Sequence, residues 1–339
     1  MPIVTHLLVD QFGSHIGKYS ERLKVTQKGE VLAQAPLLHL ESVHITNRGI
    51  SLSVDALEAC CERGIPIHFL DGLGVPYASI YASALTGTVV TRREQLRAYD
   101  DERGALIGTA IARGKIVNEA ITLKYFAKTR HDKPVQETLL SAENDLIDPI
   151  AALDRLDRLG IEDMRSHILG IEGNAARIYW GAVGALIPVE YAWAGRTTRG
   201  AVDPVNQLLN YGYGILYGQV ERALVLAGLD PFAGFVHADR PGKPSLVLDM
   251  VEEFRQTVVD RVVIGLVSRH FTVSQDENGR LADETRRSFA QHILDHLQSK
   301  AKYKSARHTL HHIIQMQARH LATVLRREEL FYRPFKAEW

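Results

Sequence analysis

Cysteine is nearly absent from this 339-residue sequence: there are two, and they are neighbours, Cys60 and Cys61. Adjacent thiols form neither a disulfide framework nor the spaced pairs of a zinc ribbon, so they read as small apolar side chains in a reducing compartment. Long hydrophobic runs are also missing. The longest, Ile178 to Val189, stops at Glu190 and is shorter than the ~18 residues a membrane span needs. The N-terminus has no basic leader followed by an apolar core, so no signal peptide is expected. Net charge is absent too, because 40 Lys and Arg balance 40 Asp and Glu. That removes any global electrostatic pull on nucleic acid and leaves only a segregated one. These absences describe a cytoplasmic protein without a membrane segment. With 45% hydrophobic and 24% charged residues the composition is that of an ordinary globular chain, long enough for two domains.

Residues 1–85 carry short runs that alternate or stay apolar, among them HLLVD, LKVTQ, GEVLAQAP, LLHLESVHIT, GIPIHFLD and YASIYAS. Gly, Asn, Lys and Pro separate them, which predicts strands, with a hairpin turn at Gln27-Lys28-Gly29-Glu30. One helix interrupts, capped by Ser53 and stopped at Gly64. Residues 86–91 read as a linker. From Arg92 the period becomes helical: one long helix to about Arg130, ended by His131-Asp132-Lys133-Pro134, then a second helical region from Thr138 to Arg158 weakened at Pro149. Nearly everything after Ile161 is helical as well. The expected fold is α+β, with a small β-rich, sandwich-like domain over 1–85 and a larger all-α domain over 92–339.

Chemistry concentrates in GFVHADRPGKPSLVLDMVEEFR, from Gly234 to Arg255. His237 sits on a turn, a basic loop follows, and a helix then opens with Asp249, Glu252 and Glu253. Spacings of three and four place all three acids on one helix face. The same helix carries Leu246, Val247, Met250, Val251, Phe254, Val258 and Val262 as a core stripe. Carboxylates beside a core stripe are paired, protonated or metal-bound when buried. With an imidazole one short loop away, a divalent metal is the sharper reading, and a solvated acidic first turn is the plainer one.

Glu172 stands alone near Gly170 and Gly173, before the apolar face Ala176, Tyr179, Trp180, Val183 and Leu186. Locally it reads as a partner of a helix N-terminus, or as a ligand brought in from a separate helix. Asp203-Pro204 looks like a cap and first helical residue. The helix it opens holds Gly212, Gly214 and Gly218, which do not match a dinucleotide fingerprint and point instead to close packing of a neighbouring backbone. Tyr211, Tyr213 and Tyr217 on that helix read chiefly as core. A C-terminal helix from Ser305 to about Glu329 would bring His308 and His312 to the i, i+4 spacing of a zinc pair. No acid lies between them, so the metalloprotease pattern is absent. Charge is segregated near the end: from Ala301 on there are eight Lys and Arg against Glu328, Glu329 and Glu338.

Three segments together resemble one family: Glu172 in IEGNAARIYW, the run from Asp203 to Arg261 with NQLLNYGYG and LDMVEEFR, and the ending YRPFKAEW. The sequence resembles the CRISPR-associated adaptation integrase, also described as a metal-dependent DNA endonuclease (the Cas-one family), over essentially its whole length. The resemblance implies metal ligands at Glu172, His237 and Glu252, and makes Asp249 a further functional acid. It places Asn206 and Arg255 at family-typical polar positions. Where the family commonly continues EEFR with Pro, this sequence has Gln256. Magnesium or manganese is implied as the cofactor, and the donor set of carboxylates and one imidazole suits either. Double-stranded DNA, both spacer precursor and repeat array, is the implied substrate. A homodimer built through the β domains and a complex with the small companion protein (Cas-two) are implied as assemblies.

In that reading the 3′-hydroxyl of incoming DNA attacks a target phosphate. With water in its place the same site is a nuclease. Arg199, Arg240, Lys243 and Arg255 would position DNA through its phosphates. Two rivals are a general metal-dependent nuclease acting on branched or repair DNA and a non-catalytic DNA-binding scaffold. A zinc hydrolase centred on His308 and His312 is a third.

Overall fold

The computed structural model describes residues 4–81, 89–156 and 160–338. In the first domain β1 (His6–Val9), β5 (Ser42–Ile45) and β7 (Ile67–Leu70) run parallel, and β8 (Pro76–Ile80) closes that sheet antiparallel. A second sheet has the order β4-β3-β2-β6, from β2 (His15–Tyr19), β3 (Arg22–Gln27), β4 (Glu30–Pro36) and β6 (Ser51–Leu52). The β3–β4 turn puts Lys28 and Gly29 both at positive φ, the geometry that suits the twist of a two-residue hairpin. Leu7, Val43 and Ile67 from one sheet and Ile16, Leu23 and Val25 from the other share one core. Helix α1 (Val54–Glu62) joins it through Ala56, Ala59 and Cys60. Ser53 caps α1 by accepting the Ala56 N–H at 3.2 Å. Burial pushes the Cys60 thiol up to about 12, so it acts as an apolar filler.

Among the described residues the C-terminal region is mostly helical, with one short hairpin and an isolated bridge between Gln275 and Leu281. The long helix expected over 92–130 is two, α2 (Val89–Tyr99) and α3 (Glu102–Thr129), because Asp101 turns its side chain onto the Arg103 N–H and restarts the helix. Residues 89–91 of the expected linker therefore open α2, and 86–88 lie outside the described residues. α3 stops at Thr129, just before His131 as expected, and Asp132 caps the next helix, α4 (Lys133–Asp145), with Pro134 in its first turn. Then follow α5 (Ile147–Asp154), α6 (Ile161–Val183) and α7 (Pro204–Leu226). Beyond them lie α8 (Ser245–Val251), a π-helical turn over Gln256–Asp260, α9 (Arg261–Val267) and α10 (Asp283–Leu297). Strands β9 (Lys300–Tyr303) and β10 (Ala306–Thr309) pair antiparallel before α11 (Leu310–Leu325). The helix expected from Ser305 thus starts five residues later, at a Thr309 cap, and His308 belongs to a strand. Among the described residues no helix is long and apolar enough to cross a membrane.

Helix α7 is the seam between the domains. A Cβ on Gly214 would stand 1.5 Å from the Gly74 carbonyl oxygen, so that residue has to be glycine for the strand β8 region to seat. Tyr211 and Tyr213 are core, as expected. A layer of histidines lies between the domains: His6, His44 and His68 from β1, β5 and β7 are all buried. His44 meets Gln219 of α7, and His6 meets Gln298 after α10.

Candidate active site

Four segments converge on one centre. Helix α3 supplies Lys115, α6 supplies Glu172, the loop before α8 supplies His237, and the turn after α8 supplies Glu252. Glu172 is in the middle of α6, not near its start, so the helix-terminus role fails for it. Its carboxylate accepts a hydrogen bond from Lys115 Nζ at 2.5 Å. The same ammonium lies 2.8 Å from Glu252 Oε2, and Arg255 lies 3.1 Å from Glu252 Oε1. Burial alone would raise the Glu252 carboxyl, but Arg255 and Lys115 outweigh it and hold it at about 2. Burial likewise works against a charge on Lys115, yet the attraction of Glu252 and Glu172 keeps it protonated.

Asp249 has a different task from the other acids. It is fully buried, and its Oδ2 accepts the N–H of Phe235 at 2.6 Å and of Val236 at 3.1 Å. Its Oδ1 accepts the His237 N–H at 2.9 Å and meets His237 Nδ1 at 2.8 Å. This carboxylate therefore folds the loop and orients the imidazole, leaving Nε2 free. Gly234 permits the approach, since a Cβ there would lie 2.6 Å from the Ser245 carbonyl carbon and 2.8 Å from Asp249 Oδ2.

The three acids do not share one face. Helix α8 begins at Ser245 and ends at Val251, so Asp249 closes a short helix instead of opening a long one. The turn at 252–254 and the π-helical turn after it rotate the chain. Glu253 consequently points away from Glu252 and into the tail: it accepts Tyr332 Oη at 2.5 Å, the Phe335 N–H at 2.8 Å and Gln317 Nε2 at 3.1 Å. Burial pushes its carboxyl up to about 7. Asn118 of α3 clasps the same tail, donating to the Phe335 carbonyl and accepting the Ala337 N–H, each at 2.9 Å. Residues 332–337 of the tail thus pack beside the centre, against Glu253 and Asn118.

Of the other expected residues, Arg199 and Arg240 are exposed and Lys243 is half-buried. Arg255 is not free: it donates to Tyr217 Oη at 2.8 Å and lies 4.8 Å above the Tyr213 ring. Asn206 is buried and ties down the loop before α7. It accepts from Arg196 at 3.0 Å and from the Thr197 N–H at 2.9 Å, and donates to the Gly195 carbonyl at 2.8 Å. His308 and His312 come from a strand and a helix, with ring centroids 5.3 Å apart, and are remote in sequence and element from the acids.

Sequence reasoning missed Lys115, Glu119 and Asp260. The signal was available on α3, where beyond the buried Arg103 of its first turn Lys115, Asn118, Glu119 and Thr122 interrupt an apolar buried face. Glu119 is buried, and burial raises its carboxyl to about 8, Lys115 pulling the other way. Asp260 accepts from Tyr213 at 2.5 Å and Tyr179 at 3.0 Å inside the core.

The donors fit a divalent cation in kind: two carboxylates and one oriented imidazole, with the Lys115 ammonium held between the carboxylates as a positive charge in the ion's place. They do not yet form a cage. Among the described residues no three His, Cys, Asp or Glu side chains close on a single point. Lys115 stands between Glu172 and Glu252.

A β-rich N-terminal region followed by a mostly helical one, with acids, a lysine and a histidine gathered in the helical part, defines the class of fold and site. The family model described as CRISPR associated protein Cas1 matches residues 7–295, and the chain belongs to that family. It is 36% identical to "CRISPR-associated endonuclease Cas1 1" of Archaeoglobus fulgidus, over 98% of this chain and 99% of that one. Among solved structures, a casposase bound to integration product superposes with a TM-score of 0.83 at 23% identity, covering 97% of this chain and 93% of that one. A Cas6-RT-Cas1–Cas2 complex chain gives 0.78 at 23% identity, covering 99% of this chain and 37% of that one.

Proposed function

We propose that this chain is a divalent-metal-dependent DNA integrase of CRISPR adaptation, with endonuclease activity from the same centre. The observation that carries the reading is the pair Glu172 and Glu252 closed on a cation, beside a His237 whose free Nε2 is fixed by Asp249. Family membership supports it, as do the endonuclease name of the Archaeoglobus relative and the integration product held by the casposase.

Glu172, His237 and Glu252 would hold Mg2+ or Mn2+, which when bound neutralises phosphate charge and polarises phosphorus. Asp249, at 2.8 Å from His237 Nδ1, orients the ring so that Nε2 would be its donor to the ion. The bond that forms joins the 3′-oxygen of spacer DNA to a repeat phosphorus; the bond that breaks releases a repeat 3′-oxygen, which takes up the proton. With water as nucleophile the outcome is cleavage. Arg199, Arg240 and Lys243 would hold DNA through its phosphates, and Arg255 would meet a phosphate at the centre itself. A homodimer through the sheet-built domains and a complex with Cas2 complete the proposal. For Cas2 the structural relative in a Cas6-RT-Cas1–Cas2 complex is the support.

Strand transfer of a labelled duplex into a repeat-bearing plasmid, with Cas2 and Mn2+ present, tests this. His237→Ala should abolish joining, by about 10²-fold or more, while DNA binding persists. Joining that survives the substitution would place the chemistry elsewhere.

A further inference from the structure

We propose that Lys115 is a resident counter-cation of this centre, which the divalent ion displaces and Glu119, one turn along α3, receives. The inference rests on the metal reading above and concerns how the site exists before the ion arrives.

The geometry is that of a bridging cation. Lys115 Nζ stands 2.5 Å from Glu172 and 2.8 Å from Glu252, and the lysine is 8% exposed. Two carboxylates this close and this dry repel each other unless a positive charge lies between them. A divalent ion binding the same two carboxylates would meet the ammonium at contact range, and like charges there are strongly unfavourable. The ammonium has to leave, and a buried charge needs somewhere to go.

Helix α3 offers that place. Glu119 is four residues on, the spacing at which side chains of one helix meet. It is 1% exposed, and its Oε2 has no hydrogen-bond partner. Thr122 Oγ1, on the same face of α3, is also buried without a partner. So is Gln256 Oε1, on the π-helical turn packed against α3. An ammonium carries three N–H donors and no acceptor. Unused buried acceptors are uncommon in folded proteins, and Glu119, Thr122 and Gln256 each offer one on the elements that flank the lysine. Glu119 is not needed as a ligand; its part is to take the displaced charge. The chain would thus fold with the carboxylates already neutralised, and the ion would enter by exchange of cations.

Equilibrium Mn2+ binding, read from the free-Mn2+ electron spin resonance signal, tests this alongside melting with and without Mn2+. Lys115→Met keeps the length and removes the charge. It should melt lower than wild type without metal, bind Mn2+ at least roughly tenfold more tightly, and gain more in melting temperature from the ion. Lys115→Arg keeps a charge and should show no gain in affinity. Glu119→Gln leaves the displaced ammonium without a carboxylate and should bind Mn2+ more weakly by roughly tenfold, with its metal-free melting no lower than wild type. This arm stands even if Lys115→Met fails to fold. Lys115→Met binding Mn2+ no more tightly than wild type, or Glu119→Gln binding it as tightly, would overturn the exchange. If His237→Ala binds Mn2+ as wild type does, the metal reading fails instead. If neither wild type nor Lys115→Met binds Mn2+, both fail together.

Discussion

Asp249 and Glu252 are three residues apart and chemically unlike. Asp249 accepts three backbone N–H groups and the His237 ring, so it sets the loop. Glu252 faces two cations and sets the charge of the centre. Asp249→Asn replaces an acceptor oxygen by a donor that opposes the backbone N–H groups. It should lower stability by about 2–3 kcal/mol in urea unfolding and abolish joining as well. His237→Ala should cost about 1 kcal/mol in the same measurement, since it removes one partly exposed hydrogen-bonding side chain. Equal stability losses in the two variants would remove the distinction between a loop-setting and a ligand-bearing side chain.

At the level of elements, the close contact of α7 with the strand β8 region gives a second prediction. Gly214→Ala places a methyl group 1.5 Å from the Gly74 carbonyl oxygen. Backbone has to move to relieve it, and a loss of about 3 kcal/mol or more is expected, read as a lower denaturation midpoint with faster proteolysis across the domain seam. An unchanged midpoint would mean that the seam is looser than described. Much of this architecture was legible in the sequence. Short alternating runs marked the sandwich, Ser53 and Asp203 marked their caps, and the glycines of α7 implied close packing. The site was legible as a set of residues but not as a shape. Helical spacing put Asp249, Glu252 and Glu253 on one face, and nothing in the letters LDMVEEFRQTVVD signals a turn at 252–254 followed by a π-helical turn. Such a turn is fixed by what it packs against, here α3, α7 and the tail. Lys115 was missed because a lysine in a helix reads as surface; only its position on the buried face of α3 would have marked it.

The whole molecule is joined across a layer of neutral histidines. Burial lowers the His6 imidazole to about 4 and the His68 imidazole to about 3, with neighbouring cations adding to the effect, and lowers His44 well below its usual range. Depressed imidazoles bind protons less readily in the folded chain than in the unfolded one. Their contribution is therefore whole above pH 6.5 and is lost as pH falls toward 4 and then 3. Melting should drop steeply between pH 6.5 and 4. In His68→Gln the slope of stability with pH should be shallower by about 1.4 kcal/mol per unit between pH 6 and 4. An unaltered slope would show that His68 is not among the groups that take up protons on unfolding.

The clasp on residues 332–337 has a consequence for synthesis. Helix α3, made early, and the turn after α8 both hold hydrogen bonds open for Phe335 and Ala337. A growing chain presents these residues only after the roughly 150 residues that follow α6 have emerged. Until then Glu253 and Asn118 lack their backbone partners, and the packing beside the centre stays unfinished. Ribosomes that stall or terminate before Phe335 would thus release a protein with its sandwich formed and its chemistry unassembled, a built-in order in which scaffold precedes reactivity.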